Sequence, residues 1–334
     1  MLKWKWWKKK SSADSLLAVT ASGSNFTLAK VQWGESGKPE LLECALQSQL
    51  SDTQTTLKQL TANHDVTGSP AVSVMEPGNF DLILMEAPNV PAEEMNDAVR
   101  WQIKDRISYS PEDAIIQTFE IPGQMERGRT PMVYTVTADR KKVTEQINLL
   151  EEQKIDLEYI DIPELVQRNV AMFCPEDAIG VAMLRLQESS GLLTVTHQGE
   201  LYLTRQLDTG YLGMLEEQKL EHSDEGGLQL AETDIVADKV YDQVVLEIQR
   251  SLDYYESHFS KIPIGSLVIA PLPVEIPGLD EKLSGLLGIQ VRELDLNEIV
   301  TPHVPLDREK QAQCFTAIGA ALRWSTNMAV VASL

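Results

Sequence analysis

Long apolar runs are missing from this chain of 334 residues. Its longest apolar stretches, such as Ile262 to Pro273 and Ala312 to Leu322, fall far short of the roughly 20 residues that a membrane-spanning helix needs. Cysteine is scarce: Cys44, Cys174 and Cys314 are single, widely spaced and odd in number. That argues against a disulfide framework or a paired metal site and reads as buried free thiols. His64, His197, His222, His258 and His303 are equally scattered, with no His-x-x-x-His and no Cys/His cluster to serve a metal. Cations are outnumbered, with 29 Lys and Arg against 50 Asp and Glu and a formal charge of −21. Such a surface repels nucleic acid, so DNA and RNA are not expected as partners. Nucleophilic machinery is missing as well: Ser189-Ser190-Gly191 lacks the Gly-x-Ser-x-Gly elbow. The pairs Glu93-Glu94, Glu151-Glu152 and Glu216-Glu217 are adjacent, so on a helix they point about 100° apart and read as solvated surface, not as acid and base.

What the chain has is enough apolar content, 43%, to build a real core, and a length that divides into two or three domains of about 100 to 200 residues each. Its first residues run against the acidic whole. Lys3, Lys5, Lys8, Lys9 and Lys10 alternate with Trp4, Trp6 and Trp7. Lysine is drawn to anionic lipid and tryptophan settles at the headgroup level, so residues 1–14 form a leader suited to a peripheral contact with an anionic membrane surface. A solvated leader, or one lying on the protein's own acidic body, fits the same residues. The leader is not a secretory signal: the polar run Ser11 to Ser15 separates charge from hydrophobe, and Leu16 to Val19 is shorter than the roughly 7 to 15 residues of a signal core. An uncleaved, cytoplasmic chain is expected.

From Ser15 the pattern reads as three strands, Leu16 to Thr20, Phe26 to Trp33 and Leu41 to Leu46, then a helix from Asp52 to about His64. The order recurs as Ile179 to Leu186, Leu192 to His197 and Leu201 to Leu207, with a long helix from about Asp234 to Phe259. Within that helix Val236, Val240, Val244, Ile248, Leu252, Tyr255 and Phe259 mark one buried face. Two related halves are expected. Strand Leu267 to Ala270, helix Leu279 to Leu287, strand Ile289 to Leu294 and helix Ala312 to Arg323 complete the second. Between the halves, Pro91 opens a helix with Met95, Val99, Ile103 and Ile107 on one side and Trp101 off it. Strands Ile115 to Ile121 and Met132 to Thr137 and a helix from Lys141 to about Glu152 follow, with Pro122 to Thr130 as a mobile loop. The expected boundaries are a first lobe over 15–88, an inserted α+β subdomain over 89–157, a return to the first lobe over 158–177 and a second lobe over 178–334. An acidic loop lies near 215–232, and the last helix returns to the first lobe.

Two β-β-β-α halves with an insertion are the arrangement of the actin-like ATPase superfold, a duplicated ribonuclease H-like α/β fold with two lobes. Four strings sharpen the match: Val90 to Ala114, Glu247 to Phe259, Ile276 to Val291 and Phe315 to Arg323. On these the chain resembles the PilM family of type IV pilus assembly proteins, and within it the MshI branch of mannose-sensitive haemagglutinin (MSHA) pilus biogenesis. The resemblance implies a cytoplasmic adaptor at the inner membrane that grips the cytoplasmic N-terminal tail of a PilN-like or MshJ-like membrane protein and links it to the pilus machinery. A groove between the first lobe and the insertion would take that tail, with Trp101 and Tyr109 as candidate contacts; plain packing against the first lobe is the alternative for each.

Active members of the superfold clasp phosphate and Mg²⁺ with two Asp-x-Gly hairpin turns. Here the resemblance places Thr20-Ala21-Ser22 on the first and Arg185-Leu186-Gln187 on the second, so both carboxylates and both glycines are replaced. The adenosine-side Gly-Gly loop reads Ala270-Pro271, and proline stiffens a loop meant for close backbone approach. With no Mg²⁺ holder for phosphoryl transfer, a pseudo-ATPase without ATP or Mg²⁺ is expected. A shift of the hairpin assignment by two or three residues would let Gly23 or Gly191 supply a surviving turn. The alternative is a slow ATP-binding regulator of pilus or type II secretion assembly, with Arg185 as a phosphate ligand.

Overall fold

The computed structural model describes residues 15–22, 25–33, 38–122, 124, 130–223, 239–259 and 263–323. The leader of residues 1–14, most of the loop expected over 122–130 and the later part of the acidic segment lie outside the described residues. The chain forms two compact units, residues 1–166 with 316–334 and residues 167–315.

In unit 1, β1 (Ser15–Ser22), β2 (Asn25–Trp33) and β3 (Pro39–Ser48) form an antiparallel meander. β4 (Pro70–Val74) adds parallel to β1, and β8 (Asp156–Asp161) adds parallel to β4. The strands run in the order β3-β2-β1-β4-β8. β1 and β4 are central and buried nearly throughout, which is why they read as continuous apolar runs without alternation. Between β3 and β4 lies α1 (Thr53–Ala62), whose N-cap Asp52 accepts a hydrogen bond from the Thr55 backbone N–H at 2.8 Å. Its Leu57 and Leu60 pack against Leu17, Val19 and Leu28 of the sheet.

A three-stranded sheet in the order β5-β7-β6 sits between β4 and β8 in the chain, formed by β5 (Phe80–Glu86), β6 (Ala114–Glu120) and β7 (Met132–Asp139). Strand alternation gives it two faces. Met85, Ala114, Ile116 and Val133 point to the face covered by α2 (Met95–Gln102) through Met95, Val99 and Ile103. Phe80, Ile115 and Ala138 point the other way and pack with Val143 and Ile147 of α3 (Arg140–Glu151). The subdomain's sheet therefore takes in Phe80–Glu86, earlier than the residue 89 expected, because β5 pairs with β7 from Phe80 to Glu86. α2 is shorter than its apolar stripe. A 3₁₀ turn, Ala92–Glu94, precedes it, and Ile107 packs on the same cluster from beyond the helix end.

In unit 2, β9 (Val181–Leu186), β10 (Gly191–His197) and β11 (Glu200–Leu207) repeat the meander. β12 (Ser266–Ile269) pairs parallel to β9, and β13 (Gln290–Glu293) parallel to β12. The order β11-β10-β9-β12-β13 matches that of unit 1 strand for strand. α4 (Pro163–Ala171) carries the chain into unit 2 and α9 (Arg308–Ala321) carries it back, so the last helix spans the division at residues 315 and 316. Between them come α5 (Tyr211–Ser223), α6 (Lys239–Phe259), α7 (Leu279–Leu287) and α8 (Leu296–Ile299).

The α6 stripe is core: Val244, Ile248, Leu252, Tyr255 and Phe259 are buried, and Tyr255 and Phe259 meet Tyr202 of β11 edge-on. Val236, assigned to the same stripe, lies outside the described residues. Two expectations about the acidic segment are corrected. Leu215 to Ser223 is not loop but the body of α5, with Met214 fully buried. Nor is Glu217 solvated surface: it is 3% exposed, and its carboxylate accepts from the Val240 N–H at 3.2 Å, capping the start of α6.

Candidate functional site

Unit 1 holds a cavity of about 210 Å³ between its main sheet and α3. Val19 and Ala21 project into it from one face of β1, joined by Phe26, Leu149 and Leu150. These make an apolar floor. Thr53, Glu76, Asn79, Lys142 and Glu145 make a polar rim. α3 is fastened over the sheet by Gln146, whose Nε2 donates to Ser73 Oγ at 2.8 Å and to the Val74 carbonyl at 3.2 Å. Ser73 Oγ in turn donates to the Val19 carbonyl at 2.9 Å. On the rim, Lys142 lies 3.8 Å and Lys141 4.0 Å from the Glu145 carboxylate. An apolar floor with a few converging polar groups is the usual build of a small ligand or side-chain pocket.

Neither aromatic candidate lines this groove. Trp101 stands 65% exposed on α2. Tyr109 packs into the α2-side cluster, and its hydroxyl is 3.0 Å from Thr137 Oγ1. Burial pushes the phenol above its ordinary range. Both are on the face of the small sheet opposite α3, as the odd-numbered parity of Val133 and Thr137 requires. The groove residues were missed because β4 is a short apolar run without alternation, and because Gln146 and Glu145 look like ordinary polar positions of a surface helix.

The positions that the resemblance assigns to a nucleotide site divide between the units. In unit 1, Thr20 alternates away from Val19 and Ala21, is 1% exposed, and its hydroxyl is 2.7 Å from that of Thr27. The two buried hydroxyls satisfy each other. Ser22 is exposed at the end of β1. In unit 2, Arg185, Gln187, Ala270 and Pro271 come together at the ends of β9 and β12, where the Ala270 N–H donates to the Leu184 carbonyl at 2.8 Å. Ala270 and Pro271 are buried. The Arg185 guanidinium lies 5.2 Å from the centre of the Phe315 ring. Burial pulls its pKa down to about 10, and among the described residues no carboxylate pairs with it. The turn after Leu186 is tied down: the Gln187 N–H donates to the Ser190 carbonyl, while the Gln187 and Glu188 carbonyls accept from the N–H groups of Tyr211 and Leu212 at 2.9 and 3.1 Å. The first turn of α5 is capped by that hairpin.

Among the described residues no group of three or more His, Cys, Asp and Glu is placed to hold a metal ion, and no helix is long and apolar enough to cross a membrane. Cys44, Cys174 and Cys314 form no disulfide; Cys174 and Cys314 are buried as expected, whereas Cys44 is half-buried. Burial pushes Cys174 up to about 12, so it is inert at neutral pH.

No protein-family model and no curated protein matches the chain. Among solved structures it is similar to a PilM–PilN type IV pilus biogenesis complex, with 18% identity, a TM-score of 0.68 and coverage of 94% of this chain and 99% of that one. Looser overlaps include the cytoplasmic domain of EpsL, an inner-membrane component of the type II secretion system of Vibrio cholerae, with 12% identity, a TM-score of 0.46 and coverage of 91% and 94%. MreB5 of Spiroplasma citri bound to ADP overlaps with 9% identity, a TM-score of 0.45 and coverage of 96% and 99%. At those scores they carry no argument of their own. The repeated strand order in the two units and the match along nearly the whole chain give this protein the actin-like ATPase fold.

Proposed function

We propose that this protein is a non-catalytic adaptor of type IV pilus assembly, of the MSHA kind. In this reading the groove of unit 1 holds the cytoplasmic N-terminal tail of a PilN-like or MshJ-like inner-membrane protein and links it to the pilus machinery at the cytoplasmic face. The observation that carries the reading is the groove itself, an apolar cavity of about 210 Å³ roofed by α3. It occurs in a chain whose fold overlaps a PilM–PilN complex over 94% of its length. The leader's Lys3, Lys5, Lys8, Lys9 and Lys10 with Trp4, Trp6 and Trp7 add a peripheral grip on anionic lipid.

The absence of catalysis is part of the proposal. Thr20, already bonded to Thr27, and Arg185 stand where the resemblance puts Mg²⁺-handling carboxylates. A hydroxyl and a cation do not fit that ion. The expected result is that a peptide of the partner's tail binds the purified protein in titration calorimetry without nucleotide. No binding with or without ATP would remove the adaptor reading. For the leader, deletion of residues 2–10 is expected to abolish sedimentation with anionic vesicles, and equal sedimentation of truncated and intact protein would refute anchoring.

A second reading, a slow ATP-binding regulator, is favoured by one observation: a desolvated Arg185 without a carboxylate partner among the described residues suits an anion. A flat calorimetric trace with millimolar Mg-ATP dismisses it.

A further inference from the structure

We infer that the unit 1 groove selects an extended peptide carrying a lysine or arginine beside a large apolar side chain, with Glu76 as the residue that reads the charge. The inference rests on the groove being a peptide site, as proposed above. Glu76 stands two residues beyond β4, after the buried Met75, is half-buried, and has no cationic partner among the described residues. Glu145 across the rim is different: Lys141 and Lys142 already stand beside it. A half-buried carboxylate that the protein itself leaves unpaired gains more from an incoming cation than an exposed one does, because less water screens the pair.

Asn79, three residues on, also lines the groove with no side-chain partner among the described residues. Its amide can both donate to and accept from a peptide group, which fixes an extended backbone beside the carboxylate. The floor of Val19, Ala21 and Phe26 takes the apolar side chain. The charge logic suits the occupant, since cytoplasmic segments next to a membrane span are enriched in lysine and arginine. A chain of formal charge −21 also draws such segments in.

The test selects twelve-residue peptides from a random phage-displayed library on the full-length protein. Winning peptides are expected to pair Leu, Ile or Phe with a neighbouring Lys or Arg. A synthetic winner is expected to bind Glu76→Gln about ten- to a hundredfold more weakly, with a shallower salt dependence, while Glu76→Lys selects peptides with Asp or Glu instead. A benzophenone-labelled winner is expected to crosslink to Met75–Asn79 or to α3. If the crosslink falls there but both Glu76 variants bind the winner as tightly as the parent, the charge-reading role is overturned and the groove stands. If the crosslink falls elsewhere, or no peptide is enriched, the groove reading falls and this inference with it.

Discussion

Gly210, just ahead of α5, has no room for a side chain. A Cβ there would lie 2.3 Å from the Gln187 carbonyl oxygen and 2.4 Å from that of Glu188, the two acceptors that cap the helix. Because the obstruction is backbone, it cannot swing aside. Gly210→Ala is expected to cost at least about 2 kcal/mol, read as a lower urea midpoint with an unchanged slope, and an unshifted midpoint would contradict the close approach. Asp177 offers a pH-dependent counterpart. It is 5% exposed, its Oδ2 accepts from the Gly199 N–H at 2.6 Å, and burial raises its carboxyl above the ordinary 3.8 despite the Thr196 hydroxyl and the Gly199 N–H. The folded chain thus holds this proton more tightly than the unfolded one. Its contribution to stability is complete below 3.8 and is lost as pH rises through the raised value. Asp177→Asn keeps an acceptor for Gly199 and removes the titration, so its stability relative to the parent should rise from pH 4 towards neutrality. A difference that stays constant with pH would rule this out. Single positions of this kind were opaque in the sequence. Gly210 stood in an ordinary Asp-Thr-Gly-Tyr stretch, and nothing local marks Asp177 as buried.

At the level of the element, α3 is held to the main sheet by both its apolar side and Gln146. Gln146→Ala deletes the bonds to Ser73 Oγ and the Val74 carbonyl and is expected to cost about 1–2 kcal/mol. Amide exchange in α3 should quicken while α6 exchange stays unchanged; equal protection in the variant would mean that packing alone seats the helix. Elements with strong periodicity were legible. The helix Leu279–Leu287 has the bounds its apolar spacing gave, between Gly278 and Gly288, both at positive φ. The α6 stripe is likewise buried from Val244 to Phe259, with Val240 only half-buried at the helix start. β4, β5 and β8 left no comparable signal, since Pro70–Val74 is a short apolar run and Asp156–Asp161 mixes charge with apolar residues. α5 was hidden by its glutamates, because burial of Glu217 depends on the N–H of Val240, a residue far along the chain.

For the whole molecule, the decisive pattern is repetition: one strand order used twice, which the sequence announced through its two meanders. The closing of unit 1 by residues from the far end of the chain was expected of the last helix but not of any named pair. Arg323 Nη1 donates to Asp161 Oδ2 at 2.7 Å, the Asp161 side chain being fully buried, while the guanidinium lies over Tyr159. Breaking a buried pair leaves an uncompensated charge. Arg323→Ala is therefore expected to cost about 3–5 kcal/mol, and a chain ended at residue 315 to lose cooperative unfolding of unit 1. A variant with the parent's urea midpoint would show the pair to be dispensable. The Gln146, Ser73 and Val19 bonds that define the groove involve β1, β4 and α3, distant in sequence, so the site itself became visible only once the strands were paired.

The place of the small sheet has one more consequence. Parallel strands such as β4 and β8 need a crossover between them, usually a helix, and α3 is already that helix. β5, α2, β6 and β7 hang as a side branch between the end of β4 and the start of α3. Such a branch can lengthen, shrink or be exchanged over evolutionary time without altering the strand order of the trunk that bears it. The groove lies at the junction, walled by trunk and crossover helix, so a change in the branch leaves the groove's apolar floor of Val19, Ala21, Phe26, Leu149 and Leu150 in place.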